Sequence, residues 1–291
     1  MTGFAALDPL LPDRVRAGGG ERLRRRLADG REVEGVLYRL RNDGWASLWQ
    51  AREVWDLTPL SGDVGEAGMG ALLAAVRERL RARPCGPDSA CTVTWPSRDV
   101  SVAPTLIGHG LVPGIVLAVC EEPTAADVPG EAGVTVRRAT EADTGEAVAL
   151  WLAELRYSAL VGPATVRPGA ADRLAAEFRR AVRAGEPVWL AEADGVPVGV
   201  AVCAWPAPIP HRIADGLWAR VGTVSVAPAA RGTGIGRTLM ATAHRELVRD
   251  RARGAYLFYS PHNALSTVFW HRQGYRPLWT VWEVRPATAL R

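Results

Sequence analysis

Val224-Ser225-Val226-Ala227-Pro228-Ala229-Ala230-Arg231-Gly232-Thr233-Gly234-Ile235-Gly236-Arg237 changes character twice along its length. A β-rich run ends at Pro228, glycines then occupy every second position, and apolar residues at Ile235, Leu239, Ala243 and Leu247 repeat at helical spacing. The pattern is strand, glycine turn, helix. Gly232, Gly234 and Gly236 let the backbone point successive N–H groups into one concavity. The helix start adds partial positive charge, and Arg231 and Arg237 add full charges. Such a site suits an anion rich in oxygens, a pyrophosphate in particular. A Gly-x-Gly pair alone also marks an ordinary tight turn, so the surrounding elements must carry the reading.

Those elements alternate. Val134 to Arg138 alternates as a strand, and Thr140-Glu141-Ala142-Asp143 reads as an N-cap opening a helix through about Leu155. A second helix is expected near 170–183. Pro187 to Ala193 and Val196 to Trp205 flank the turn dipeptide Asp194-Gly195, which is a hairpin signal. Pro206 to Gly216 is a proline-bearing loop, and Val221 to Val226 a further strand. The helix from Ile235 is expected to reach about Arg253, with Gly254 as its cap. Ala255 to Tyr259 then reads as a strand, Asn263 to Arg272 as a helix and Tyr275 to Val284 as a closing strand.

The chain also repeats itself. Residues 90–120 lie over 254–284 at a constant offset without a gap, and Gly110-Leu111-Val112-Pro113 falls on Gly274-Tyr275-Arg276-Pro277. Upstream, Gly68-Met69-Gly70 falls on Gly234-Ile235-Gly236. Shared glycine patterns over an ungapped length indicate duplication of one fold. The acidic, proline-bearing segment 123–133 lacks periodicity and reads as the linker between domains at 1–122 and 134–291.

Composition narrows the function classes. The 291 residues are 48% apolar and 23% charged, as expected of a folded protein with ample core. All 35 basic residues are arginine, and the net charge is only +4. Neither half has the basic excess of a nucleic-acid binder. No run approaches the ~20 apolar residues of a membrane span, and the N-terminus lacks a signal-peptide pattern, so a cytoplasmic protein is expected. Cys85, Cys91, Cys120 and Cys203 show no metal-ligand spacing, so no metal is expected. The cluster Glu21-Arg22-Leu23-Arg24-Arg25-Arg26-Leu27, with leucines four apart, reads as the solvated face of an amphipathic helix.

Arg231, Gly234 and Gly236 form an Arg-x-x-Gly-x-Gly signature. With Val-x-Pro before it, and Asn263, Phe269-Trp270 and Gly274-Tyr275 downstream, the chain resembles the GNAT superfamily of N-acetyltransferases. The similarity covers about 134–286, and through the repeat the whole is similar to tandem-GNAT proteins of the mycothiol-synthase kind. The resemblance implies an α/β fold of two tandem GNAT domains, each a mixed, mostly antiparallel sheet flanked by helices. It implies acetyl-CoA as acyl donor and transfer to the amine of a small molecule, by a monomer or homodimer. Backbone groups of the strand containing Val224, Ser225 and Val226 would pair with the pantetheine arm. Amides from Gly232 through Thr233, Gly234, Ile235 and Gly236 to Arg237 would hold the pyrophosphate, with Arg231 beside them, and Asn263 would contact pantetheine.

Two departures bear on catalysis. Trp270 stands where the family commonly has tyrosine, and an indole N–H donates a hydrogen bond but is no proton acid at neutral pH. The strand 220–226 also lacks the glutamate often used as base. Tyr259 and His262 are the candidate replacements, each with a plain structural alternative. A non-catalytic acyl-CoA-binding or sensing module is the rival reading. In the first copy Gly65 replaces Arg231 and Asp99 replaces Asn263, and Asp63 and Glu66 add carboxylates where a pyrophosphate would sit. That half is expected to be a non-catalytic partner. The loop Pro206 to Arg212, with Trp205, Asp215 and Trp218, is expected to shape the acceptor site.

Overall fold

The computed structural model describes residues 3–13, 15, 18–83, 85–123, 133–209, 211–249 and 252–291. In chain order the elements are β1 (Glu21–Arg26), β2 (Glu32–Arg41), β3 (Glu53–Pro59), α1 (Gly65–Ala82), β4 (Ser89–Pro96), α2 (Ala103–Gly108) and β5 (Val112–Cys120). They continue as β6 (Val134–Arg138), α3 (Thr144–Val161), α4 (Ala170–Arg183), β7 (Val188–Ala193), β8 (Val196–Ala207) and β9 (Trp218–Val226). The last are α5 (Ile235–Arg249), β10 (Gly254–Tyr259), α6 (Ala264–Arg272) and β11 (Arg276–Val284). Most of the proposed linker, 124–132, lies outside the described residues, as does Pro210 of the proline loop.

Cα proximity divides the chain into two units that do not follow chain order. The first holds Met1–Leu117, Ile209–Asp215 and Pro277–Arg291. Its strands run β1-β2-β3-β4-β11-β5, with β3 parallel to β4 and β11 antiparallel to β4 from Trp279↔Pro96 to Val284↔Cys91. Every residue of β4 is buried. Phe4 packs edge-on against Trp95 and Trp279, with ring centroids 5.6 and 5.4 Å away.

The arginine cluster at 21–27 is not a helix. Residues 21–26 form β1, paired antiparallel with β2. Leucines four apart fit a helix in isolation, but Leu23 is the residue of this strand that points into the core. Opposite it, β2 supplies Glu32 and Glu34. Arg24 lies 2.7 Å from Glu34, and Arg22 lies 3.7 Å from the same carboxylate. Cross-strand pairing of opposite charges, invisible to a local periodicity argument, favours the extended form.

The second unit holds Ala118–Pro208 and Gly216–Arg276. Its strands run β10-β9-β8-β7-β6, bordered by the last residues of β5. The predicted hairpin is β7–β8. Asp194 and Gly195 take φ of +49° and +76°, as a primed turn requires. Buried Ile235, Leu239, Ala243 and Leu247 form the inner face of α5, as their spacing implies. Gly254 opens β10 instead of capping α5. A Cβ there would run into the Cys120 carbonyl and the Trp218 ring. The repeat holds in the elements: β5 and β11 coincide at the repeat offset, and α2 and α6 end at equivalent positions.

The entry to α3 is fixed by a capping box. The Thr140 N–H and hydroxyl both donate to Asp143 Oδ2, at 2.7 and 2.9 Å. Arg137 donates to both carboxylate oxygens, at 2.7 and 3.0 Å. That arginine holds the Asp143 carboxyl at about 2, below the usual range. A depressed folded value stabilises above the unfolded value near 3.8 and is lost as pH falls through about 2. Asp143→Asn is therefore expected to cost about 1–2 kcal/mol at pH 7. Urea denaturation should show the gap from the parent narrowing as pH is lowered from 4 toward 2.

Candidate active site

The second unit's sheet opens where the parallel pairing of β9 with β10 ends. β9 and β10 pair only from Gly254↔Trp218 to Leu257↔Val221, although β9 runs to Val226 and β10 to Tyr259. On its other side β9 stays paired with β8 to the end, from Val202↔Thr223 to Gly199↔Val226. The register between β8 and β9 shifts at Val202/Cys203, so Gly222 is an extra residue. This is a β-bulge, which bends and twists the strand that carries it. Gly222 has no room for a side chain, since a Cβ would sit 2.9 Å from the Val202 carbonyl oxygen. From Gly222 to Val226 one backbone edge of β9 therefore has no strand beside it among the described residues.

That edge runs into the glycine turn. Residues 228–230 form a short 3-10 turn, and Thr233 Oγ1 donates to the Ala230 carbonyl at 2.8 Å. Gly232 and Gly234 take φ of +84° and +93°, which side-chain-bearing residues rarely adopt. The Arg237 and Thr238 N–H groups both donate to the Gly234 carbonyl, so α5 begins there. Among the described residues, the N–H groups of residues 232–236 take no backbone acceptor. They are a cluster of unsatisfied donors at a helix N-terminus, the chemistry of an anion cradle. Arg231 is turned back from this cradle. Its Nε donates to the Val226 carbonyl at 3.2 Å, and its guanidinium lies 5.5 Å from the Tyr157 ring centroid.

The other sequence-derived candidates separate in space. Asn263 is buried and caps α6, its Oδ1 accepting the Ser266 N–H at 3.0 Å. Trp270 is buried in an aromatic stack, edge-on to Phe269 at 4.8 Å and Tyr275 at 5.5 Å, and Tyr275 Oη bonds buried His244 at 2.9 Å. Tyr259 is buried at the end of β10, 3.5 Å from His271 Nε2, and burial pushes its phenol up. His262 is exposed.

The residues expected to shape an acceptor site have structural partners. Trp218 is buried, and Trp205 Nε1 donates to the Gly185 carbonyl at 2.8 Å. Residues 209–215 belong to the first unit, where the Arg212 carbonyl accepts from Trp279 Nε1.

Sequence reasoning placed α3 but ended it near Leu155, short of Val161, and assigned no functional residue to it. Ala147, Leu150, Trp151 and Leu155 are its buried stripe. Glu154 and Ser158 continue that stripe at four-residue spacing, which is the one signal the sequence offered. The helix is anchored at both ends of the opening. Ser225 Oγ of β9 donates to the Leu150 carbonyl at 2.7 Å. At the far end Gly162 meets Ser260, just after β10, so closely that a Cβ would lie 2.9 Å from its Oγ. Glu154 lies between these anchors. Its Oε1 accepts from Ser158 Oγ at 2.7 Å, and its Oε2 is buried with no hydrogen-bond partner among the described residues. Burial raises this carboxyl to about 7, with the Ser158 hydrogen bond and then Arg231 pulling the other way.

Residues 184–277, which span the free edge, the turn and α6, match the sequence profile of the family described as Acetyltransferase (GNAT) domain. The match to a GNAT domain is confined to these residues. Two solved structures share the fold over most of the chain. A GCN5-related N-acetyltransferase from Sphaerobacter thermophilus is 18% identical, with a TM-score of 0.57 over 93% of this chain and 83% of its own. A tandem GNAT protein from the clavulanic acid biosynthesis pathway is 17% identical, with a TM-score of 0.53 over 89% and 81%. At these identities the likeness is one of fold, and it supports the tandem arrangement read from the repeat. No curated protein matches in sequence. No helix among the described residues is long and apolar enough to cross a membrane.

The raised Glu154 carboxyl has a consequence for stability. Its folded value near 7 exceeds the 4.5 of a free glutamate, so the folded state holds the extra proton and stability falls as pH rises between the two. Glu154→Gln removes that loss. The variant is expected to match the parent near pH 4 and to exceed it above pH 7 by up to about 3 kcal/mol. Equilibrium urea denaturation across that range checks both ends.

Proposed function

We propose that the C-terminal copy, 134–291 in the repeat, binds acetyl-CoA and transfers its acetyl group to the amine of a small molecule. The observation that carries this reading is the free edge of β9 running into a turn of unsatisfied amides. Backbone groups of Val224 and Val226 pair with the pantetheine amides as an added strand would, with Ser225 between them fastened to α3. Amides from Gly232 to Arg237 take the pyrophosphate, with the Arg231 and Arg237 charges nearby. Asn263 contacts the pantetheine while its Oδ1 caps α6. The strand backbone at the opening polarises the thioester carbonyl, and attack by the neutral amine follows.

The N-terminal copy is the non-catalytic partner in this reading. Its Gly68-Met69-Gly70 lies within α1, and the Gly68 N–H donates to the Val64 carbonyl at 3.1 Å. The turn that leaves amides free in one copy has become helix in the other. Asp99, at the place of Asn263, accepts the Ser101 N–H at 2.9 Å and the Trp95 indole N–H at 3.1 Å. Its charge, with those of Asp63 and Glu66, opposes a pyrophosphate.

Calorimetry on the full chain should give one acetyl-CoA per chain, and Arg231→Glu should weaken that binding at least tenfold. A stoichiometry of two, or an unchanged dissociation constant in the variant, overturns the assignment.

The rival reading, an acyl-CoA-binding module without turnover, draws on Trp270. Packed in its aromatic stack, it gives the leaving thiolate no proton acid. In the enzymatic reading that proton comes from elsewhere, and Trp270→Phe keeps turnover within about tenfold. A loss above a hundredfold, about 2.7 kcal/mol of barrier, would make its N–H part of the chemistry. Thiol release from acetyl-CoA with a panel of primary amines measures this, and binding without any release favours the rival.

A further inference from the structure

We propose that Glu154 of α3 is the general base that takes the proton from the acceptor ammonium, a role the family pattern places on a glutamate that β9 lacks. The inference rests on the acetyltransferase reading above and adds to it a residue on a different element. α3 is fastened to β9 through Leu150 and Ser225, and approaches the end of β10 through Gly162 and Ser260. It therefore crosses the place where the two strands part. Glu154 and Ser158 are the polar continuation of its buried stripe there. The Ser158 hydroxyl holds Oε1, which fixes the carboxyl in one orientation. Oε2 is left with no partner among the described residues in a buried position. A buried polar atom without a hydrogen bond is disfavoured unless a ligand completes it. An ammonium beside the thioester would donate to that oxygen.

The alternatives fit less well. Tyr259 has its phenol pushed up by burial, so at neutral pH it donates a proton and does not accept one. His262 is exposed. A purely structural role for Glu154, as ion-pair partner of Arg231, would need a contact within 4 Å. Arg231 instead bonds the Val226 carbonyl and lies over Tyr157. Its field still reaches Glu154 and opposes the effect of burial. From its own helix Tyr157 and Ser158 are neutral neighbours, and Ser225 on β9 is uncharged. The resulting value near 7 suits a base that must be ionised in part and accept a proton at neutral pH.

The step balances. Glu154 carboxylate takes one proton from R–NH3+, giving R–NH2 and a neutral carboxyl that returns the proton to solvent. The amine lone pair forms the C–N bond at the thioester carbon, and the C–S bond breaks with its electrons leaving on sulfur. The second nitrogen proton passes to that sulfur through water, giving the amide and free CoA thiol.

Glu154→Gln preserves shape and an acceptor for Ser158, so it separates the base from the scaffold. Calorimetry on the intact chain comes first. If the parent binds no acetyl-CoA, the functional reading fails and this inference with it. With binding present, the variant should keep the dissociation constant within twofold. Amine-dependent thiol release, read with a polyamine, an arylamine and an amino sugar, should fall in kcat/KM at least a hundredfold at pH 7. The parent's kcat/KM should rise through an ionisation near pH 7 that the variant lacks. Carbon-13 NMR of glutamate-labelled protein needs no acceptor. The carboxyl resonance absent from the variant should titrate near 7 and move when acetyl-CoA is added. A titration near the ordinary ~4.3, a resonance indifferent to acetyl-CoA, or a variant with full turnover and the parent's pH profile would overturn the proposal.

Discussion

The second unit depends on a parallel strand pair that is not allowed to finish. β9 and β10 hold each other for only four residue pairs, and the bulge at Gly222 turns β9 away where pairing with β10 stops. An unpaired backbone edge is ordinarily a liability that a fold covers or blunts. Here β9 is secured from both of its other sides. β8 keeps its ladder to the end of the strand, and the Ser225 hydroxyl fastens it to α3. The edge is thus rigid as well as open, a condition for recognising an extended ligand through backbone groups.

The sequence repeat shows how one fold can carry two different turns. α2 and β5 reproduce α6 and β11 at matched positions, and even the side chains preceding α2 and α6 do similar work. Asp99 accepts from Ser101 where Asn263 accepts from Ser266. What differs is the turn. In the second copy two glycines at positive φ delay the helix until Ile235, leaving donors unsatisfied. In the first copy the helix starts earlier relative to its Gly-x-Gly, and the amides from Gly68 onward enter the helical ladder. A helix extended by one turn consumes the donors that an anion would use.

The fold was legible wherever it was written in local pattern. Alternation gave β6, Asp194-Gly195 gave the β7–β8 hairpin, and the spacing of Ile235, Leu239, Ala243 and Leu247 gave α5. The reading failed where the deciding partner is distant in sequence or unlike the local signal. Leu23 and Leu27 satisfy helical spacing, but Glu34 on the neighbouring strand decides β1. The turn Asp29-Gly30 between the two runs was the overlooked hairpin signal. The placement of β11 in the first unit has no local signature, because a strand's sequence does not say which of two similar sheets it joins. At the site, the turn was visible because glycine's conformational freedom is a one-residue property. Glu154 was not, because a single acid in an apolar stripe looks like a helix surface residue until burial is known.

Burial alone would make Glu154 a poor base, since a carboxyl deep in an apolar setting stays protonated at neutral pH. Arg231 alone would make it an ordinary weak one, held ionised by a nearby positive charge. Burial is the largest influence, and the Ser158 hydrogen bond and then the Arg231 charge act against it. Arg231 acts without an ion pair because its Nε is engaged by the Val226 carbonyl and its guanidinium lies over Tyr157. A direct contact would have cancelled much of the burial. The Ser158 hydrogen bond and this more distant charge together leave the carboxyl near the middle of the physiological range, where it can both take a proton and release it. Ser158 on the same helix and Arg231 in the glycine turn thereby both moderate the acid that lies where the strands part.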